Sequence, residues 1–138
     1  MRLQALSALA ESFPSAEVEY EDLLALPFQA DGRAGDGGID CLGIVLEVYR
    51  RAGLLLPDPK LGGSTIQAFA GILERIEDPG QLYDLANLRR GEAHLYVVVR
   101  PGLFLSSREK IGVHTQRAKT LRGHPQVEFW RVRASCLP

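Results

Sequence analysis

The sequence predicts an α+β domain, with helices first and an antiparallel sheet of about five strands after them. Apolar residues recur at helical spacing as far as Ile76, and short β-rich runs separated by turns fill the chain beyond Gly80. The length, 138 residues, fits one domain covering 1–138, and no repeat, low-complexity tract or linker divides it.

Leu3, Leu6, Leu9, Ala10 and Phe13 recur at helical spacing and predict a first amphipathic helix, ended by Pro14 and Ser15. Gln4 and Ser7 interrupt the apolar run, so this segment reads as a helix and not as a signal peptide. A short acidic helical turn follows through Leu23 and Leu24 until Pro27. Residues 29–38 then hold four glycines, which favours tight turns and close backbone approach. Cys41, Ile44, Val45 and Val48 fall at i, i+3, i+4 and i+7 and predict a helix with a broad buried stripe. Arg50 and Arg51 in its last turn, then Gly53, close it.

Ser64-x-x-Gln67 has the form of a capping box. It predicts another helix with Ile66, Phe69, Ala70, Leu73 and Ile76 on its apolar face, stopped at Asp78-Pro79-Gly80. Strands are expected at 82–85, 93–99, 103–105, 111–116 and 127–132. A three-residue loop at Arg100-Pro101-Gly102 sets 99 opposite 103, so paired positions sum to 202. Ser106 then lies opposite Tyr96 and diagonal to His94 on one face; a change of loop length brings Ser107 there instead.

With 16 Lys+Arg against 17 Asp+Glu, the formal charge of −1 argues against a broad electrostatic grip on nucleic acid or an anionic membrane. No apolar run comes near the ~18–20 residues of a membrane span. Cys41 and Cys136 have no C-x-x-C partner, and the three histidines are scattered, so neither a metal nor a cofactor is expected. A disulfide between the two cysteines is allowed but not required.

The chemistry concentrates in Gly37-Gly38-Ile39-Asp40-Cys41-Leu42-Gly43, a cysteine at a helix start behind a glycine loop. An ordinary thiol has a pKa near ~8.5; a helix amino terminus and a nearby imidazolium lower it to roughly 3.5–7.5 and make a nucleophile. The plainer alternative is a small buried hydrophobe on the helix face. Asp40 can act electrostatically at the site or simply cap the helix. His114 is a second candidate base, and His124, before Pro125, reads as a loop residue.

The segment 27–59 resembles the NlpC-type (NlpC/p-sixty) cell-wall cysteine peptidases, a papain-like family. The family's Pro-Tyr pair, glycine loop and Asp-Cys-x-Gly read here as Pro27-Phe28, Gly32 to Gly38 and Asp40-Cys41-Leu42-Gly43. Its helix end in Tyr-Arg and its Gly-x-x-Leu-Pro are similar to Val48-Tyr49-Arg50 and Gly53-Leu54-Leu55-Leu56-Pro57. Pro79-Gly80-Gln81-Leu82 resembles the Pro-Gly-Asp-Leu strand start, and His94-Leu95-Tyr96-Val97 the His-Val-Gly-Ile strand, 53 residues after the cysteine. The likeness reaches from about residue 20 to 132, and the phage-tail-associated branch is the most similar.

The resemblance implies a papain-like fold with Cys41 as nucleophile and His94 as base. It implies Ser106, 12 residues after His94, as the third polar residue, and Phe28 and Asp40 as residues bordering the substrate. Three positions depart from the family: Phe28 lacks the usual tyrosine hydroxyl, Gln81 replaces an aspartate, and Ser106 replaces the usual His, Asn or Gln. The implied substrate is the stem peptide of peptidoglycan, cut between D-glutamate and the diamino acid. The implied setting is synthesis in the cytoplasm and delivery to the wall by a phage-type assembly, with phage-tail proteins as partners. Two alternatives stand beside it: a non-catalytic tail or wall-binding component of the same fold, and an amidase or acyltransferase acting on another amide.

Overall fold

In a computed structural model the chain is described at residues 1–59, 66–69, 71–89 and 94–138. The amino-terminal part holds strand β1 (Gln4–Ala5), single 3-10 turns at Ala8–Ser12 and Glu21–Ala25, helix α1 (Cys41–Arg51) and strand β2 (Leu54–Leu55). A 3-10 turn at Ile66–Phe69 leads into β3 (Leu73–Ile76), β4 (Leu85–Leu88), β5 (His94–Arg100), β6 (Leu103–Arg108) and β7 (Gly112–Arg117). Helix α2 (Ala118–Arg122), β8 (Val127–Val132) and a last turn at Ala134–Cys136 complete it. The main sheet is antiparallel with strand order β3-β8-β4-β5-β6-β7, and β1 pairs with β2 apart from it. The architecture is therefore mixed α and β, with few helices.

Strand alternation divides the apolar side chains between two layers. Leu95, Val97, Val99 and Leu105 pack with Ile44, Val45 and Val48 of α1. Tyr96, Val98, Phe104, Ala86 and Phe129 pack on the other face with Ala118 and Leu121 of α2. Burying both faces explains the near-continuous apolar run 95–99.

Helix α1 forms as the sequence predicts, from Cys41 to Arg51. Asp40 caps it by accepting the Gly43 N–H at 2.7 Å, and Gly53 follows with φ of +92°, a left-handed position that favours glycine. A Cβ at Gly53 would also lie 2.7 Å from the Ala10 nitrogen, so the helix exit is closely packed on the amino-terminal turn. Near the helix end, the buried Glu47 accepts from Arg50 and Arg51, and Arg51 extends to Asp22 in the turn Glu21–Ala25. Burial works to raise the Glu47 pKa, but its hydrogen bonds to the two guanidinium groups outweigh that and hold it below the ordinary value.

Four expectations need correction. The predicted first helix is a strand followed by a 3-10 turn: Leu3 donates its N–H to the Cys136 carbonyl and Leu6 to that of Gly53, so the backbone is committed to pairing. Leu6 and Leu9 are accordingly 43% and 49% exposed, where a helical stripe would have buried them. The predicted helix over 64–76 becomes a 3-10 turn and strand β3, which makes six strands and not five; Ser64 and Ala70 lie outside the described residues. Leu73 packs in one layer and Ile76 against the other. An i, i+3 pair on a strand points to opposite faces, and with both faces covered it imitates a helical stripe. The strand expected at 82–85 starts only at Leu85, because Tyr83 takes a positive φ of 70°.

The fourth correction concerns the β5–β6 hairpin. Its loop is two residues, Pro101-Gly102, with Arg100 opposite Leu103. A bulge between Val98 and Arg100 then restores the expected register, Val98 opposite Phe104 and Val97 opposite Leu105. The thiols of Cys41 and Cys136 are both buried and not joined to each other.

A buried ion pair closes the sheet near Gln81. Asp84, 1% exposed, accepts from Arg131 of β8 through both oxygens at 2.8 Å and also from the Gln81 N–H. Removing the guanidinium leaves a carboxylate in the interior without its counter-charge. Arg131→Ala should therefore lower the unfolding free energy by about 2–3 kcal/mol in urea denaturation, several times the effect of losing an exposed pair.

Candidate functional site

The glycine loop and the start of α1 form one tightly packed unit. A Cβ at Gly43 would lie 2.4 Å from the Gly32 carbonyl oxygen, and one at Gly32 would lie 2.4 Å from the Gly38 carbonyl oxygen. Those contacts are open to glycine alone. Asp40 ties the unit together: one carboxylate oxygen accepts from Gly43 and from Arg33, the other from the Asp31 N–H at 3.1 Å. Arg33 also reaches Asp58, linking the loop to the segment after β2. Both oxygens of Asp40 are thus engaged inside the protein, as cap and loop anchor.

Cys41 occupies the first position of this capped helix and is 4% exposed. The first N–H groups of a helix have no partner within it, and its partial positive charge favours an anion at that end. Phe28 lies half-buried beside the helix start, bridged to Ile39 as a short parallel pair. The strands hold this unit from below. Val113 of β7 donates its N–H to the Leu26 carbonyl, and the Ser107 hydroxyl of β6 donates to the Ile39 carbonyl at 2.6 Å.

Ser107 therefore anchors the residue before Asp40, and the register leaves Ser106 on the face of Tyr96. Ser106 is directly opposite His114 of β7, and the hairpin register sets it level with Tyr96. His94, Tyr96, Ser106 and His114 so share one face across β5, β6 and β7. The Tyr96 ring is 6.4 Å from the His94 ring and 6.5 Å from the His114 ring, edge-on to the latter. The buried Ser106 hydroxyl donates to the Leu95 carbonyl at 2.6 Å, which leaves its lone pairs to accept an imidazole N–H.

His114 Nδ1 lies 3.0 Å from the Gly112 carbonyl of its own strand, and His124 Nδ1 accepts the Gln126 N–H in the turn before β8. The sequence reading missed Tyr96. Burial pushes its phenol pKa up, Arg108 pulls it back, and the nearby Cys41 adds to the rise. The rings of His94 and His114 thus both flank Tyr96. Its signal was present in the alternation His94-x-Tyr96, where the resembled strand has glycine.

No protein-family model matches the chain, and no curated protein matches it. Among the described residues, no helix is long and apolar enough to cross a membrane.

Proposed function

We propose that the chain is a papain-like cysteine peptidase of the NlpC type that hydrolyses an amide of the peptidoglycan stem peptide, between D-glutamate and the diamino acid. The observation that carries the reading is Cys41 at the first position of a capped helix, packed behind a glycine loop, with that helix lying on β5, the strand that His94 begins. The Cys41 sulfur attacks the amide carbonyl carbon, and His94 takes the thiol proton. The tetrahedral oxyanion is met by the Cys41 backbone N–H, which points from the helix start. Collapse forms a thioester and expels the amine, which receives the proton from His94. Water, deprotonated by the same imidazole, then hydrolyses the thioester and regenerates the thiol. Phage-tail assembly proteins are the partners that fit delivery to the wall.

Ser106 favours a second reading, because a hydroxyl already bound to the Leu95 carbonyl is a weaker acceptor for an imidazole N–H than the usual amide oxygen or imidazole. A wall-binding tail component without turnover has no need of a third residue. Incubating the protein with L-Ala-γ-D-Glu-diaminopimelate and following amine release separates the two. Turnover that disappears in Cys41→Ala is expected; a wild-type protein that binds the peptide and never cleaves it establishes the second reading.

A further inference from the structure

Arg33 joins separate parts of the molecule at the start of α1. Its Nη1 donates to the Asp40 carboxylate and to the Gly32 carbonyl, both at 3.0 Å. Its Nε and Nη2 grip the two oxygens of Asp58, at 2.9 and 3.2 Å, in a bidentate fork. Its own backbone N–H donates to Asp36 at 2.8 Å, which fixes where the side chain leaves the loop. The Gly32 carbonyl also accepts the Asp40 N–H at 3.3 Å and is the atom against which Gly43 packs. One guanidinium therefore clamps the glycine loop, the helix cap and the segment after β2.

The clamp has an electrostatic side. Asp40 precedes Cys41 in the chain, and its side chain is only 9% exposed. A carboxylate so placed opposes a thiolate on the next residue, because like charges in a poorly solvated site raise the pKa of the weaker acid. The helix start favours the thiolate. The two effects oppose each other, and the guanidinium 3.0 Å from Asp40 Oδ1 tips the balance by offsetting the carboxylate. Hydrogen bonds to Asp58, and after them the Asp40 charge, raise the Arg33 pKa further against the effect of burial, so the group stays charged throughout the thiol range.

We infer that Arg33 is a positioning residue of the Cys41 site: it acts through Asp40, holding the helix start against the loop and offsetting the carboxylate that would oppose the thiolate. The inference rests on the peptidase reading and deepens it. Lysine at this position keeps the charge but loses the planar fork, which separates the electrostatic role from the mechanical one.

The thiolate midpoint of Cys41 tests this without substrate, taken by absorbance as the difference between each protein and its own Cys41→Ser partner. Arg33→Gln should raise that midpoint by about one pH unit. Arg33→Lys should restore most of it, while its melting temperature still falls, because an ammonium group cannot span Asp40 and Asp58. Asp40→Asn should lower the midpoint, since the amide oxygen still caps the Gly43 N–H while the opposing charge is gone. Loosening of the helix start alone would shift all three variants in one direction. The other charged or titratable groups of the neighbouring elements (Asp31, Asp36, Asp58, His94, Tyr96 and Arg108) are the same in every protein compared and cancel in the differences.

A midpoint unchanged in Arg33→Gln, an equal rise in Arg33→Lys, or a rise in Asp40→Asn would overturn the assignment. If Arg33→Gln does not fold, the lysine and asparagine variants decide it. Each shift is read relative to the wild type. An ordinary wild-type midpoint with all three shifts as expected therefore overturns the nucleophile and not the role of Arg33.

Discussion

His94→Ala should abolish measurable amide cleavage, a loss of about 10²–10⁴-fold, while His114→Ala leaves turnover within a small factor of wild type. The difference follows from what each ring is held by. His114 sits on β7 with Nδ1 against the carbonyl of Gly112. His94 opens β5, the strand on which the helix begun by Cys41 packs, and its ring lies 6.4 Å from that of Tyr96. His94 begins its strand and is only half-buried, so truncation there should leave the thermal midpoint nearly unchanged. Loss of cleavage in His114→Ala with turnover kept in His94→Ala would move the base to β7.

Gly43→Ala should destabilise the protein by about 1–3 kcal/mol, lowering the thermal midpoint by several degrees, and should also suppress cleavage. Helix propensity predicts the opposite sign, since alanine in place of glycine within a helix is worth roughly 1 kcal/mol of stabilisation. Packing decides the matter. The new methyl would stand 2.4 Å from the Gly32 carbonyl oxygen and 2.6 Å from Ile39 Cγ1, and one of those atoms is backbone. Relief requires the glycine loop to move off α1, which breaks the Asp40 contacts to Asp31 and Gly43 and shifts Cys41 with them. A melting curve that rises on this substitution would show that the loop yields without cost.

These two residues also mark what the sequence made legible. Helix α1, its Asp40 cap and its closing Gly53 were readable because cap, periodicity and stop signal agree within one short segment. The register that levels Ser106 with Tyr96 was readable from the hairpin, although the loop is one residue shorter than expected and a bulge at Val99 makes up the difference. What was hidden depends on partners distant in sequence. Leu3 and Leu6 spend their backbone N–H groups on Cys136 and Gly53, which no local pattern announces. Leu73 and Ile76 imitate a helix stripe because the sheet is covered on both faces. The ion pairs of Arg75 and Arg89 with Glu128 required strands β3, β8 and β4 to lie side by side, and residues 75, 89 and 128 show no relation along the chain.

The central claim is that Cys41 is a nucleophile and not a buried hydrophobe, and the pH titration of its thiolate absorbance tests it most directly, read as the difference between wild type and Cys41→Ser. The midpoint should lie below neutral pH, because a helix start and an imidazolium both favour the anion, and should rise toward about 8.5 in His94→Ala. A wild-type midpoint at or above about 8.5, unmoved by His94→Ala, would contradict it.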